Sequence, residues 1–240
     1  MDFLFILAVG LVAGTLSGIV GTGSSIMLMP VLIYEYGPKQ AVPIMAIAAV
    51  MANLSRILAW WREVDWRACA AYSAPAIPAA ALGARTLLVL PSRIIDVCIG
   101  LFLIAMVPAR HWLARHRLKL SLWHLAVGGA AIGYLTGIVV STGPLSVPLF
   151  LFYGLTKGAF LATEAASSLG IYLSKTATFQ RFGALTMEIA LKGLIAGASL
   201  MSGAFIAKRF VLRLEPEVFR RVMDAIMIAA GLFTLWTAFS

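Results

Sequence analysis

The chain has 240 residues, of which 61% are apolar and 12% charged. Soluble domains average roughly 45–50% apolar and about 25% charged, so too few polar residues exist here to cover a water-facing surface. That excludes a disordered chain, a secreted disulfide scaffold and an ordinary soluble enzyme, and leaves lipid as the main solvent. The net charge of +9 would suggest nucleic acid in a soluble protein. In a membrane protein, basic residues collect in cytoplasmic loops and set orientation, so no nucleic-acid partner is expected. Cys69 and Cys98 lie in apolar stretches, with no CxxC or Cys/His cluster, and no metal or cofactor is expected.

The N-terminus begins Met1-Asp2-Phe3, with no Lys or Arg before the apolar run. A secretory signal wants a basic leading region, so Phe3–Val20 reads as a retained first membrane element starting outside. Further apolar runs follow at Ile26–Tyr36, Ala41–Trp61, Ala68–Ala84, Ile94–Val107, Leu122–Val140, Leu145–Tyr153, Ala159–Phe179, Leu185–Ala207 and Val218–Ala238. A full span needs about 20 residues. Ile26–Tyr36 and Leu145–Tyr153 are shorter and read as re-entrant or half-helical pieces. The unbroken runs lack the period-two alternation of a membrane barrel, so the expected fold is all-α and polytopic. Trp60, Trp61 and Trp66 flank a polar loop as interfacial aromatics do, and Pro75 and Pro78 are expected to kink the segment they share.

The sequence repeats itself. Gly14-Thr15-Leu16-Ser17-Gly18-Ile19-Val20 is matched 119 residues later by Gly133-Tyr134-Leu135-Thr136-Gly137-Ile138-Val139. Pro30 pairs with Pro148, and Tyr36-Gly37 with Tyr153-Gly154. Three segments follow: an N-terminal repeat over residues 1–108, a basic cytoplasmic linker over 109–120 and a C-terminal repeat over 121–240. Arg110, Arg115, Arg117 and Lys119, and later Lys208, Arg209, Arg213, Arg220 and Arg221, mark cytoplasmic loops. Both clusters fall on one side if each repeat is a broken helical hairpin followed by three transmembrane helices. The odd number of crossings then makes the two repeats inverted, an arrangement found in transporters. Gly14/Gly18 and Gly133/Gly137 are GxxxG elements, expected to serve close helix packing.

Each repeat opens with Gly-x-x-[Ser/Thr]-Gly, then a break, then a Pro heading an apolar run. Val64-Asp65-Trp66-Arg67 and Gly83-Ala84-Arg85 follow in the first half. This arrangement resembles the sulfite exporter TauE/SafE family of membrane transporters over nearly the whole chain. The resemblance implies movement of small anions such as sulfite, sulfonates or related organic acids. The breaks depart from the family's glycine runs: they read Gly21-Thr22-Gly23-Ser24-Ser25 and Ser141-Thr142-Gly143-Pro144.

Irregular backbone inside a membrane survives only where it lines a cavity or is buried in protein. A short helix after each break would present N–H groups and the positive dipole end to an anion. Gly21, Thr22, Gly23, Ser24, Ser25, Ser141, Thr142 and Gly143 are therefore candidate substrate contacts, with Ser146 close by. Arg56 and Lys175 also stand 119 residues apart. A charge at mid-span costs about 2.5–3.5 kcal/mol on the insertion scale, so something negative should compensate each: a transported anion, or a carboxylate such as Glu164 or Glu35. Arg56 is also near enough to Trp61 to snorkel to the interface. Asn53 and Tyr172, one turn before the two cations, complete the candidate set. Glu188 and Lys192, spaced i, i+4, should pair locally.

No metalloprotease HExxH, no P-loop and no G-x-G-D aspartyl-protease context occurs, so no enzyme activity is expected. The reading is a secondary transporter (permease) in a bacterial-type cytoplasmic membrane, working by alternating access on a small anion. A proton is one possible coupling ion, and a homo-oligomer is one possible assembly. The alternative is a non-transporting assembly factor or receptor.

Overall fold

The structure, a computed structural model, describes residue 11 and residues 24–115, 119–139, 142–155, 157–210 and 216–239. Every regular element among them is helical. The order is α1 (Ser24–Tyr36), α2 (Pro38–Trp60), a 3-10 turn (Trp61–Glu63), α3 (Trp66–Val89), α4 (Ser92–Arg115), α5 (Leu122–Ile138), α6 (Gly143–Tyr153), α7 (Lys157–Arg181), α8 (Met187–Phe210) and α9 (Pro216–Phe239). The expected run Phe3–Val20 lies outside the described residues apart from Leu11. The two short apolar runs are short helices, of 13 and 11 residues. Pro30 and Pro148 fall inside them rather than at their heads. α3 continues through Pro75 and Pro78, and α4 runs on through Pro108 into the basic stretch as far as Arg115.

The internal repeat is visible in the elements. α1 and α6 begin 119 residues apart, and so do α2 and α7. The paired Tyr-Gly dipeptides have a conformational cause. Gly37 takes φ 71°, ψ 163° and Gly154 φ 113°, ψ 6°, two different positive-φ conformations that glycine enters without a Cβ penalty. Each glycine turns a short helix into the long one after it. Gly154 N–H donates to Leu151 O at 3.0 Å and Leu155 N–H to Phe150 O at 3.1 Å, a glycine-centred C-terminal closure.

Helix starts are fixed by side chains. Asp65 caps α3, accepting from the N–H groups of Arg67 and Ala68 at 3.0 Å each. Thr186 does the same for α8, its Oγ1 accepting from Ile189 N–H at 3.3 Å. These caps satisfy amides that a helix start leaves without partners.

Packing follows the small residues. α3 and α5 run parallel at close backbone approach. A Cβ added at Gly129, Gly133 or Gly137 would collide with the backbone at Tyr72, Ala76 or Ala80. Gly83 meets α5 in the same way, at Tyr134 and Gly137. The second GxxxG element is therefore a packing seam. α2 and α8 also run parallel, with Gly193 against Ile47 and Gly197 against Met51. In contrast, α4 and α9 run antiparallel. Arg93 lies over the Phe239 ring, Gly100 abuts Gly231, and His111 Nε2 meets Asp224 Oδ2 at 3.4 Å. α2 and α7 are antiparallel too, with Arg56 against Glu164 and Glu63 against Gly158.

Large apolar side chains point outward along these helices: Leu58, Val89, Leu101, Leu191 and Leu232 are each more than half exposed. In water so much apolar surface would drive association; in lipid it is solvated. Lys39–Leu58 and Ser92–Ala109 are long and apolar enough to cross a membrane, and Leu122–Ile138 is apolar but shorter. As expected, Lys192 pairs with Glu188 at 2.5 Å, and its ammonium also lies 4.1 Å from the Tyr36 ring.

Candidate functional site

α7 carries a buried polar stripe. Thr163, Glu164, Ser167, Ser168, Tyr172 and Lys175 recur at helical spacing, and all except Ser168 are buried. Thr163 Oγ1 accepts the Asp65 backbone N–H at 2.9 Å, which anchors the loop before α3 to α7. An ionisable group at membrane depth is expensive unless it is paired, so the partners of Glu164 and Lys175 define the site.

Glu164 is met by four groups' worth of organisation. Its Oε2 accepts from Arg56 Nη1 at 2.9 Å, across the α2–α7 contact. Its Oε1 accepts from Ser168 Oγ at 2.9 Å and from Ser146 Oγ at 3.3 Å. Asn53, one turn before Arg56, accepts from Arg56 Nη2 through Oδ1 and donates through Nδ2 to Ala49 O at 2.7 Å. Asn53 therefore holds the guanidinium in line with the carboxylate. Arg56 does not snorkel: its compensating charge is Glu164, and both side chains are largely covered.

Lys175 is handled differently. Its Nζ donates to Thr136 O at 2.6 Å and Val139 O at 2.8 Å, and lies 5.8 Å from the Phe179 ring. These carbonyls close α5, where the helix leaves its last C=O groups without internal partners and the dipole end is negative. Lys175 is 1% exposed. An ammonium has three N–H donors, and two acceptors for it are found among the described residues. Among the described residues its compensation comes from backbone dipoles, and no carboxylate pairs with it.

The two clusters meet at the start of α6. Thr142 precedes that helix and is buried, but its hydroxyl does not cap it; Thr142 Oγ1 bonds Thr136 Oγ1, whose own hydrogen bond to Ile132 O is 2.7 Å. Thr142 O takes the N–H groups of Leu145 at 2.8 Å and Ser146 at 3.0 Å, and Pro144 has none. The α6 tip therefore offers fewer amide donors than the sequence suggests. Ser146, in the next turn, reaches Glu164 and so Arg56. Thus α6 touches the lysine cluster at Thr142 and the arginine cluster at Ser146.

Of the sequence candidates, Asn53 and Arg56 come together, and Thr142 adjoins the Lys175 cluster. Gly143 begins α6. Tyr172 is buried on α7 within the core that surrounds α1 and α2. Ser24 and Ser25 open α1; Gly21, Thr22, Gly23 and Ser141 lie outside the described residues. Ser168, Thr163 and Thr136 were not anticipated. A signal existed for Ser168, because polar residues at positions 164, 168, 172 and 175 trace one face of a helix. Thr136 was visible only as part of the repeated motif.

A helical membrane protein with a short helix set off by a break between α5 and α6, a buried cation at that break and a salt bridge beside it has the features of a protein that binds ions. The sequence pattern of the family described as Sulfite exporter TauE/SafE matches residues 6–234. The chain belongs to that family. Membership implies a membrane transporter of sulfite-like anions and not an enzyme. Comparison with curated proteins and with solved structures gives no match.

Proposed function

We propose that the protein is a secondary transporter that carries a small anion, such as sulfite, a sulfonate or a related organic acid, across a bacterial-type cytoplasmic membrane by alternating access. The observation that carries the proposal is Lys175: a buried ammonium held by the terminal carbonyls of α5, beside the start of α6 and with no carboxylate against it among the described residues. An anion arriving at the break between α5 and α6 would meet that charge in low dielectric, where it attracts far more strongly than in water. Thr142, Gly143 and Ser146, with Ser141 and the equivalent first break at Gly21–Ser25, would supply the remaining contacts.

Alternating access is supported by the direction of the helices. Repeat mates α2 and α7 are antiparallel, and so are α4 and α9. A two-fold axis along the membrane normal would make mates parallel, whereas one in the membrane plane makes them antiparallel. Inverted repeats of the latter kind expose one site to either side by exchanging the two halves' conformations.

The test is reconstitution into liposomes loaded with sulfite. Saturable uptake of labelled sulfite by exchange with the internal pool is expected. Cation movement, with no flux of any anion from a panel of sulfur and carboxylic acids, would reject the reading.

A further inference from the structure

We propose that Glu164 is the proton-binding group of the transporter, and that it couples each anion to a proton by competing with that anion for Arg56. The inference rests on the anion-transport reading above. Its ground is geometric. Glu164 Oε2 occupies the guanidinium face of Arg56 at 2.9 Å, as a carboxylate or sulfite oxygen would. The same side chain takes the Ser146 hydroxyl from α6 at 3.3 Å. The protein's own carboxylate therefore sits where the bound anion would otherwise find a cation and a hydroxyl donor, across a contact between repeat mates.

The charge balance fixes the direction of coupling. With Glu164 ionised, the charge of Arg56 is neutralised. An anion that takes Arg56 leaves Glu164 without its counter-ion at membrane depth, which is costly. A proton binding at Oε2 removes that cost: the Arg56–Oε2 ion pair is lost, the O–H bond forms, and Arg56 turns to the anion. Proton and anion are then carried together, in whichever direction their summed gradients point. Other charges around Glu164 do not substitute for Arg56. On α3 the nearby titratable group is the Tyr72 phenol, which has no cationic form. The 3-10 turn brings Glu63 against Gly158, more than a turn away along α7. α6 contributes Ser146, and the one titratable side chain of that helix, Tyr153, is at its far end. α5 presents Gly and Thr to this region, with His124 in its first turn. Lys175 and Tyr172 on α7 lie two to three turns from Glu164.

The experiment uses full-length protein in liposomes, with sulfite as the probe and a trapped pH dye. Sulfite itself takes up protons near neutral pH, so the readout is the difference between wild type and Glu164→Gln, in which sulfite's own protons cancel. Wild type is expected to move one more proton per sulfite than E164Q. An alkaline interior should drive accumulation further in wild type than in E164Q, which keeps only the part due to sulfite's own protons, while E164Q still exchanges sulfite at an altered rate. Equal proton counts, with exchange present in both, overturn the coupling role. If E164Q does not fold or exchange, the double variant Arg56→Gln, Glu164→Gln decides: it removes the pair together, and its remaining exchange should carry one proton fewer per sulfite than wild type. An unchanged count overturns the proposal. No saturable exchange by wild type removes the transport reading itself, and the coupling falls with it.

Discussion

Lys175 Nζ reaches 2.8 Å from the carbonyl oxygen of Val139, so a side chain from α7 holds the residue that caps the end of α5. Arg56, 119 residues earlier, has the other solution, a carboxylate on α7. Among the described residues one cation is met by a carboxylate and the other by backbone carbonyls, and the proposed site draws on the second.

Replacing Lys175 with Met should therefore separate transport from folding. The chain loses two charge-assisted hydrogen bonds, each worth about 1.5–3 kcal/mol, but also loses a buried charge, so the stability effects partly cancel. Sulfite exchange should fall at least about tenfold, the equivalent of one such bond, while the detergent-solubilised protein elutes and melts much as wild type does. Unchanged exchange kinetics would make the lysine a structural brace for α5.

Much of this architecture was legible beforehand because it is local. The repeated Tyr-Gly pairs mark turns that demand positive φ, and the short apolar runs became short helices starting within a residue or two of Ser25 and Pro144. Asn53 and Arg56 share a face because three residues make nearly one turn. The partner of Arg56 was narrowed to Glu164 or Glu35 but not chosen, since the choice depends on the register of α2 against α7. The partners of Lys175 are backbone carbonyls, which every residue possesses and no pattern advertises. Thr142 misled for a related reason. Its position before a helix favours capping, yet the neighbouring Thr136 hydroxyl outcompetes the amides, and that neighbour is set by the fold of the break.

The α3–α5 seam gives a sharp contrast between two adjacent glycines. A Cβ at Gly129 would strike the backbone of Tyr72, which cannot yield without moving a helix, whereas at Gly128 it meets only the tip of the Leu149 side chain. Gly129→Ala should destabilise by about 1–3 kcal/mol, the usual range for overpacking. Gly128→Ala should be near neutral, helped by alanine's better helix propensity. Thermal melts of the two variants in the same detergent check this; equal losses would mean that the helices do not meet along this line.

The turns after the short helices are testable by themselves. At both Gly37 and Gly154 an added Cβ would meet nothing within 4 Å, so only the positive φ opposes a side chain. Alanine at Gly154 should cost about 1–2 kcal/mol, the left-handed penalty for an L-residue, and at Gly37, in a region that is almost glycine-only, about 1–3 kcal/mol. The double variant should lose the sum, since distant sites add. No cost at either site would mean that the chain does not need positive φ there.

The Arg56–Glu164 pair predicts a specific pattern in a mutant cycle. Removing one member of a buried pair strands the other, at about 3–5 kcal/mol, whereas removing both is often close to neutral. Arg56→Ala and Glu164→Ala should each destabilise the protein strongly, and the double variant should melt nearer to wild type than either. Transport should not follow stability. The double variant keeps Lys175 but has no guanidinium for the anion, so its sulfite exchange should stay depressed even where its melting temperature recovers. Recovery of both together would place the pair in the scaffold alone. Failure of either single variant to destabilise would mean that water reaches the pair, which the 4% exposure of the Glu164 side chain argues against.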